Sequence, residues 1–388
     1  MDHIRLPRRA SYSCLALFVI LFADFSDVQA QQAWPWEANK GKQASILLFG
    51  DTNIQDRDNP VDAFQHVLPT MIQADMRIVN LEGPFAGTSK DPRLPDIPHK
   101  ERWKHSEPEM VKGLTVAGID VVGVANNVTY PWMSLLKSLE VLRKNNIKYA
   151  GGGNNLQEAH APVIVEKNGF KTGFLSYAST VFPFQHAATE SIPGIASVRV
   201  DTYYKPVKNL DKPGMGMETM SIPQPEELSR MREDIRKLRS QADVVIISIH
   251  WGISDHDAIL DYQTAIAHEA IEAGADIIMG HGNHMVGAVE VYKGKTVFYG
   301  LGNFVFDWEK MRGRKMEGMA IKVDVKNKKV DRISFIPMIR DDNNNVMFLD
   351  PTEGKGLEII RNIQALTGEL SELKIQGKEV LVTTNKQL

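Results

Sequence analysis

The chain has 388 residues, 43% hydrophobic and 24% charged, with a formal net charge of -3. This is the balance of a globular protein with one large domain or two small ones, and it gives no bulk electrostatic reason to bind nucleic acid. Cys14 is the only cysteine, so disulfides, thiolate metal sites and a cysteine nucleophile are excluded from the chain that follows it. Any metal must be held by His, Asp, Glu or Asn.

Residues 1–30 have the pattern of a secretory signal peptide. Three arginines (Arg5, Arg8, Arg9) precede the apolar run Cys14–Ala23, and Val28–Ala30 fits a cleavage site. The apolar run is shorter than the roughly 20 residues that span a bilayer. We therefore expect an exported protein, periplasmic or extracellular; tethering to the membrane through an uncleaved signal segment is the alternative.

The first half of the remaining chain alternates strands with helices. The pattern predicts strands at Ser45–Phe49, Asp75–Asn80, Ile119–Val124 and Ile147–Ala150, helices at Val61–Met71, Glu107–Ala117 and Pro131–Asn145, and a hairpin from Pro162–Glu166 and Lys171–Tyr177. Residues 83–105 form a long polar segment with four prolines. Loops of that length are usually functional or mobile.

The second half is richer in hairpins. Residues 178–225 are predicted to be irregular and to overhang the site. The pattern then predicts a helix at Glu226–Ser240, buried strands at Val244–Ile249 and Asp276–Met279, hairpins at Val286–Tyr292 with Lys295–Tyr299 and at Met319–Val325 with Val330–Ile336, and a helix at Pro351–Leu370 before a weakly patterned tail. This mixture indicates a layered α/β fold with one core and mixed sheets.

Polar side chains of a consistent kind follow five of the predicted strands. They are Asp51, Asn80 with Glu82, Asn126 with Asn127, His250, and His281 with His284. Chemistry in α/β proteins gathers where strands end, and carboxylate, carboxamide and imidazole groups together suit a divalent ion. Two ions bridged by a carboxylate would polarise a phosphoryl or acyl group and generate hydroxide near neutral pH.

Each piece also has a purely structural interpretation. Gly50-Asp51 is more often a turn or a helix cap than a ligand, and Asn126-Asn127 is as often a loop that satisfies its own backbone. A lone His250 is more often a buried, hydrogen-bonded histidine, and His281 with His284 fits a solvated turn. The other histidines considered, namely His66, His160, His186 and His268, are assigned to the surface or to packing.

Taken in order, the motifs resemble the bacterial capsule-synthesis CapA family, also described as poly-γ-glutamate capsule biosynthesis proteins and related to calcineurin-like metallophosphoesterases. They are Gly50-Asp51, Asn80-Leu81-Glu82, Ala125-Asn126-Asn127, Gly151-Gly152-Gly153-Asn154, His250-Trp251-Gly252, Gly280-His281-Gly282-Asn283-His284 and Tyr299-Gly300-Leu301-Gly302-Asn303-Phe304. They cover roughly Ser45 to Lys322. The resemblance implies a four-layer α/β/β/α sandwich of the calcineurin-like metallophosphoesterase type at 44–340, with 341–388 as a C-terminal extension packing on the same domain.

The resemblance also implies roles for the strand-end residues. The implied metal ligands are Asp51, Glu82, Asn127, His250 and His284. His281 is implied as a catalytic group, either a ligand or an orienter of phosphate-like charge, and Asn127 as catalytic as well. The implied substrate-binding residues are Asn80, Asn126, Trp251 and Asn303. The expected cofactor is Mn, Zn, Fe or Mg, as one ion or two, with no organic cofactor.

Three positions depart from the related families. Val128 stands where the family usually has histidine after Ala-Asn-Asn, which removes a candidate general acid, and such a loss typically costs 10²–10⁴-fold in rate. The usual Gly-x-His-Pro-His reads Gly280-His281-Gly282-Asn283-His284 here. Asn53 stands where true metallophosphoesterases have the histidine of Asp-x-His, and the CapA family itself departs there. The absence of that Asp-x-His histidine argues against ordinary phosphatase activity.

Three hypotheses follow. The first is an exported metal-dependent hydrolase or transferase acting on a phosphoester or a γ-glutamyl polymer. The second is a non-catalytic component that binds an anionic polymer through a degenerate site, with membrane-bound capsule synthesis components as partners. The third is an exported protein without a site, which requires all five strand-end motifs to be structural turns. No nucleic-acid partner is expected under any of them.

Overall fold

The computed structural model describes residues 33–36, 44–55, 57–88, 96–97, 100–180, 186–206, 217–314 and 316–385. The predicted signal peptide at 1–30 lies outside these ranges. The description below therefore concerns the unit Ala33–Leu388, with strands and helices numbered along the chain.

The larger sheet has ten strands in the described part of the chain. They are β1 Ala44–Asn53, β2 Met76–Leu81, β3 Val121–Gly123, β4 Lys148–Ala150, β15 Asn303–Phe306, β16 Glu317–Lys326, β17 Lys329–Arg340, β18 Val346–Phe348, β19 Glu372–Gln376 and β20 Glu379–Thr383. The order is β19-β20-β17-β16-β1-β2-β3-β4, with β15 paired to β1 and β18 to β17. Strands β1 to β4 are parallel, so their carboxyl ends lie at one edge.

The second sheet has six described strands. They are β6 Val163–Lys167, β7 Phe170–Ala178, β11 Val244–His250, β12 Ile277–His281, β13 Val289–Tyr292 and β14 Lys295–Phe298. The order is β13-β14-β12-β11-β7-β6, and β7, β11, β12 and β14 run parallel. Two small antiparallel pairs complete the strands: β5 Gly152–Gly153 with β8 Gly194–Ile195, and β9 Val200–Pro206 with β10 Met217–Pro223.

The α-helices of the described residues are α1 Leu68–Met71, α2 Val111–Val116, α3 Trp132–Lys144, α4 Leu156–Ala159, α5 Pro225–Arg239, α6 Asp261–Ala273 and α7 Gly354–Thr367. Short 3-10 turns lie at Asp62–Phe64, Pro108–Met110 and Glu309–Met311. None of the helices in the described ranges has both the length and the apolar character that a bilayer span requires.

Successive residues of the central strands pack into different apolar clusters, because side chains alternate between the faces of a strand. In β1, Ile46 and Leu48 join a cluster that also holds residues of the second sheet, while Leu47 and Phe49 pack with the residues of α1 to α3. In β11, Val245 packs with α5 and α6. Both sheets are therefore apolar on two faces, and one cluster contains residues of both.

Most predicted elements agree with the structure within a few residues, including the helix α3, the three hairpins and the strands that end at the polar residues. Two predictions were wrong, and some elements of the structure were not predicted. The helix expected at Val61–Met71 is only a 3-10 turn and the four-residue α1. The irregular segment 178–225 contains β9 and β10, the weakly patterned tail contains β19 and β20, and α6 was missed. The described side chains of β9 and β10 are mostly exposed, as are those at the end of β19, so their apolar signal is weak.

Candidate metal centre

A bulge at the end of β1 directs Asp51 into the protein. The register of β1 shifts next to Asp51 against both β15 and β2. A Cβ atom on Gly50 would lie 2.0 Å from the Gly302 carbonyl oxygen, so only glycine permits this close approach. The Asp51 amide donates to that same oxygen at 3.2 Å. Bulges commonly re-aim a side chain beside a functional site, and here the Asp51 side chain is fully buried.

Two histidines reach Asp51 from the ends of neighbouring parallel strands. His250 and His281 are the last residues of β11 and β12 and face each other in register. Their Nδ1 atoms lie 3.1 Å apart. The Asp51 Oδ1 atom lies 3.2 Å from Nδ1 of His281 and 3.9 Å from Nδ1 of His250. One carboxylate and two imidazoles thus converge on a common point.

A second group forms on the other oxygen of Asp51. His284 follows β12 with a positive φ of 61°, and its Nδ1 atom lies 3.5 Å from Asp51 Oδ2 and 3.9 Å from Glu82 Oε2. The Asn303 Oδ1 atom lies 2.9 Å from the same imidazole nitrogen. Two carboxylates, one imidazole and one carboxamide oxygen meet here, which is a donor set suited to a hard or borderline divalent ion.

The two groups have the geometry of paired cation sites that share one carboxylate. Asp51, His250 and His281 form one group, and Asp51, Glu82 and His284 form the other; within each, a ligand atom from every residue lies within 4.8 Å of the others. All five side chains are at most 3% exposed. We call the first group subsite 1 and the second group subsite 2.

The protonation states suit metal ligation. Burial opposes ionisation of Asp51, but a hydrogen bond and charge interactions with His281, His250 and His284 hold its pKa below the usual value. Burial lowers the pKa of His250 and His284, so both imidazoles favour the neutral form that ligates metals. Burial and the neighbouring Asp51 charge raise the pKa of Glu82 well above its usual value. A bound cation would lower the pKa of Glu82 again, because it favours the ionised carboxylate.

Unsatisfied buried oxygens show that the residues fit a cation. Both carboxylate oxygens of Glu82 are buried and accept no hydrogen bond from any described residue, and the same holds for Oδ1 of Asn127. Buried polar atoms are nearly always hydrogen-bonded or coordinated to a metal. The Glu82 carboxylate faces Asp51, a second acid, and the Lys100 ammonium at 4.0 Å is too far to donate a hydrogen bond to it, so a cation between the two carboxylates would satisfy both.

Hydrogen bonds behind the ligands fix their orientation. The Asn80 carboxamide donates to Asp51 Oδ1 at 2.7 Å, and the Gly282 amide donates to Asp51 Oδ2 at 3.0 Å. Ser248 Oγ lies 2.7 Å from Nε2 of His281, which leaves Nδ1 of that imidazole toward Asp51. Such outer partners set ligand orientation and basicity in metal sites.

Replacing Ser248 with alanine is expected to weaken metal binding by about 10–100-fold, the usual cost of losing an outer partner. The matched control is Ser176→Ala, because Ser176 is the register partner of Ser248 on β7 and its buried hydroxyl has no hydrogen-bond partner among the described residues. Isothermal titration of metal-free protein with Mn²⁺ measures both variants. Equal affinities for the two would show that the Ser248 hydroxyl does not support the site.

Some of the residues predicted to bind substrate make hydrogen bonds inside the protein. Asn126 donates to the Leu81 carbonyl at 2.8 Å and accepts from the Thr129 hydroxyl at 2.8 Å, so it braces the loop that carries Glu82. Trp251 is fully buried, and its indole donates to the Tyr299 carbonyl at 2.9 Å. Both side chains make internal contacts, and the substrate-binding roles predicted for them stay predictions. Asn80 likewise makes an internal contact, the hydrogen bond that it donates to Asp51.

The remaining predictions are placed as follows. His281 lies in subsite 1, and Asn303 in subsite 2 beside His284. Asn127 follows β3 with its carboxamide oxygen buried; its roles as ligand and catalytic group stay predictions. Two histidines assigned to packing or the surface contact carboxylates away from this centre: His160 Nδ1 lies 2.7 Å from Asp234 Oδ2, and His268 Nε2 lies 2.9 Å from Glu290 Oε1.

The described residues 96–97 and 100–105 lie against the site, and we call them the covering segment. Ile97, Trp103, Val128 and Phe306 form a fully buried apolar cluster, and the Phe306 ring lies 5.0 Å from the His284 ring in an edge-on arrangement. Val128 therefore fills a packing position beneath the covering segment. Sequence reasoning identified Val128 as a departure but gave no sign of its contacts.

Ser248 and Lys100 were missed as members of the site. Ser248 lies two residues before His250, and the alternation of a strand places both on the same face; that periodicity could have identified it. Lys100 approaches from the covering segment, and its Nζ atom lies 4.0 Å from Glu82 Oε1. No sequence signal marks a lysine in an irregular segment as part of a site built at strand ends.

A family model described as bacterial capsule synthesis protein PGA_cap matches residues 30–308. The capsule biosynthesis protein CapA of Bacillus anthracis is 26% identical over 310 residues, which cover 78% of this chain and 69% of that protein. The PGA biosynthesis protein CapA of Bacillus subtilis (strain 168) is 29% identical over 254 residues, covering 64% of this chain and 58% of that protein. A hypothetical protein from Thermus thermophilus superimposes with a TM-score of 0.43 at 14% identity, over 76% of this chain and 98% of that one.

Proposed function

The chain belongs to the bacterial capsule synthesis protein PGA_cap family, and on that premise we propose that it is an exported, metal-dependent hydrolase of capsule or poly-γ-glutamate biosynthesis. The observation that carries the metal-dependent part is the Asp51 carboxylate shared by two buried ligand groups. The relatives from the two Bacillus species carry the link to the polymer. The substrate class is an anionic chain with phosphoester or γ-glutamyl bonds.

The fold that fits this function is a four-layer α/β/β/α sandwich. Its support lies in three of the apolar clusters: one contains many residues of both sheets, and two pack helices against a sheet. In such an arrangement the parallel strands of both sheets end toward the same centre. Asp51 lies in the ten-stranded sheet and Glu82 directly follows its strand β2. His250 and His281 end strands of the six-stranded sheet, and His284 follows three residues later.

Each residue has a defined task in this proposal. His250 and His281 would hold an ion at subsite 1, Glu82 and His284 would offer ligands at subsite 2, and Asp51 would contribute to both. Bound Mn²⁺, Zn²⁺, Fe²⁺ or Mg²⁺ supplies Lewis acidity and lowers the pKa of a bound water. Asn80 and Ser248 hold Asp51 and His281 in position. The covering segment excludes bulk water, which strengthens the electrostatic interactions inside.

A second candidate function is metal-dependent binding of the anionic polymer without turnover. The observation that favours it is Val128, which is fully buried in an apolar cluster where the family's histidine would stand. A side chain there that cannot donate a proton leaves the leaving group without a general acid. Export and membrane-bound synthesis components as partners are proposed under both candidates.

Metal-dependent turnover tests the first candidate. Purified protein is assayed for bound metal and for hydrolysis of p-nitrophenyl phosphate, its bis-ester and γ-glutamyl oligomers, with and without Mn²⁺ and with EDTA. The proposal predicts bound metal and hydrolysis of at least one substrate that EDTA abolishes. Protein with no bound metal and no rate gain on adding any of the four ions would contradict it.

Restoring the histidine separates the two candidates. Val128→His is expected to raise the rate of hydrolysis by about 10²–10⁴-fold, the usual contribution of a general acid. Because the larger polar side chain enters a packed cluster, Val128→Asn serves as the control for packing alone. Hydrolysis only in the Val128→His variant supports the binding function for the natural chain, whereas hydrolysis by the natural chain supports the enzyme.

A further inference from the structure

Lys100 reaches the metal centre from the covering segment. Its Nζ atom lies 4.0 Å from Glu82 Oε1, and its side chain is only 13% exposed. The same nitrogen lies 5.1 Å from the ring centroid of Trp103 and 5.3 Å from that of Trp308. Two indoles and one carboxylate therefore surround the ammonium group. A cation held this way is part of the site rather than a surface lysine.

Backbone hydrogen bonds fix the position of Lys100. Its amide donates to the Ile97 carbonyl at 3.0 Å, and its carbonyl accepts from the Trp103 amide at 3.0 Å. Trp103 is fully buried, and its ring packs edge-on against Trp308 at 5.3 Å. The Trp103 indole donates to Nδ1 of His105 at 3.2 Å. These contacts anchor the backbone of the turn, which holds the base of the Lys100 side chain beside the metal centre.

The position of Lys100 makes the two subsites unequal. Subsite 1 has one carboxylate and two imidazoles, and its ring nitrogens face Asp51. Subsite 2 has two carboxylates, but its Glu82 already faces the lysine ammonium. The two carboxylates carry two negative charges. One divalent ion and the Lys100 ammonium group together already carry more positive charge than that. A second divalent ion near a fixed ammonium in a buried site is opposed by strong Coulomb repulsion.

We propose that Lys100 is a built-in cation of subsite 2, so that the chain binds one divalent ion tightly at subsite 1 and a second ion only weakly. This inference rests on the metal centre of the proposed function. It specifies a site with one resident ion and one fixed ammonium group. The ammonium group supplies, on the Glu82 side, a positive charge that a second ion would otherwise supply to an anionic substrate.

Metal titration of charge variants tests the inference. Metal-free full-length protein is titrated with Mn²⁺ by calorimetry, and bound Mn is counted by elemental analysis after gel filtration. Wild-type protein is expected to bind one tight ion. Lys100→Met and Lys100→Gln are expected to bind two, with affinity at the second site raised by roughly 10²-fold or more because the repelling charge is gone.

Two controls keep the charge in place. Lys100→Arg retains a cation beside Glu82 and is expected to bind one tight ion. Lys112→Met removes a charge from an exposed position on α2 and is expected to match the wild type. Circular dichroism confirms that each variant is folded before titration.

The outcomes separate this inference from the proposed function. Two tight ions in the wild type, or one tight ion in both Lys100→Met and Lys100→Gln, would overturn the role of Lys100 while leaving the metal centre intact. Absence of tight Mn²⁺ binding in the wild type and in all three Lys100 variants would overturn the metal centre itself, and the inference with it.

Discussion

Asp51→Asn is expected to abolish tight metal binding and every metal-dependent activity. Asp51 is the one residue common to both ligand groups, so its charge is lost from both subsites at once. Loss of an outer partner alone costs 10–100-fold in metal affinity, and loss of a shared ligand is expected to exceed about 100-fold. Calorimetric titration with Mn²⁺ measures the effect.

The control for this prediction is Asp58→Asn, which makes the same chemical change at an exposed position a few residues away. Thermal unfolding of both variants shows that the fold is retained, since asparagine has nearly the same shape as aspartate. Mn²⁺ affinity in Asp51→Asn within a few fold of the wild type would show that Asp51 is not a ligand.

Trp103→Ala is expected to destabilise the packing of the covering segment over the site. Trp103 is fully buried and packs against Trp308 and Phe306. Removing a buried aromatic ring typically costs 3–5 kcal/mol, and here the loss falls on the contacts that hold Ile97 and Lys100 over the site. Hydrogen exchange of peptides covering 96–106 measures the free energy of opening this segment, and we expect that free energy to fall by about this amount.

The control is Trp132→Ala, because Trp132 lies on α3 with 43% of its surface exposed and carries no comparable packing. Its variant is expected to leave exchange at 96–106 unchanged. Equal protection of this segment in wild-type and Trp103→Ala protein would mean that the indole does not hold it in place.

Much of the site could be predicted from the sequence because strand ends are local signals. The apolar runs before His250 and His281 predict buried strands, and parallel strands bring their carboxyl ends to one edge. That reasoning correctly placed Asp51, Glu82, His250 and His284 in one neighbourhood. It left open the role of His281, which the register of β11 and β12 brings opposite His250.

Other features depend on contacts that no local pattern encodes. Lys100 meets Glu82 because an irregular segment folds back over the strand ends, and Val128 packs under that segment against Trp103. Trp251 directly follows the site residue His250. Because successive side chains of an extended chain point to opposite faces, Trp251 lies in the core instead. The helix α6, by contrast, was missed although its apolar residues, such as Ile266 and Ala270, recur at helical spacing, so the sequence did carry a signal for it.

The central claim is that the buried carboxylates and imidazoles form a divalent metal centre with Asp51 shared between two subsites. Anomalous diffraction at the Mn absorption edge, from crystals of the wild-type protein grown with Mn²⁺, tests it most directly. The account predicts a strong anomalous peak bounded by Asp51, His250 and His281, with a weaker peak or none beside Glu82 and Lys100. No anomalous peak among these residues at saturating Mn²⁺ would contradict it.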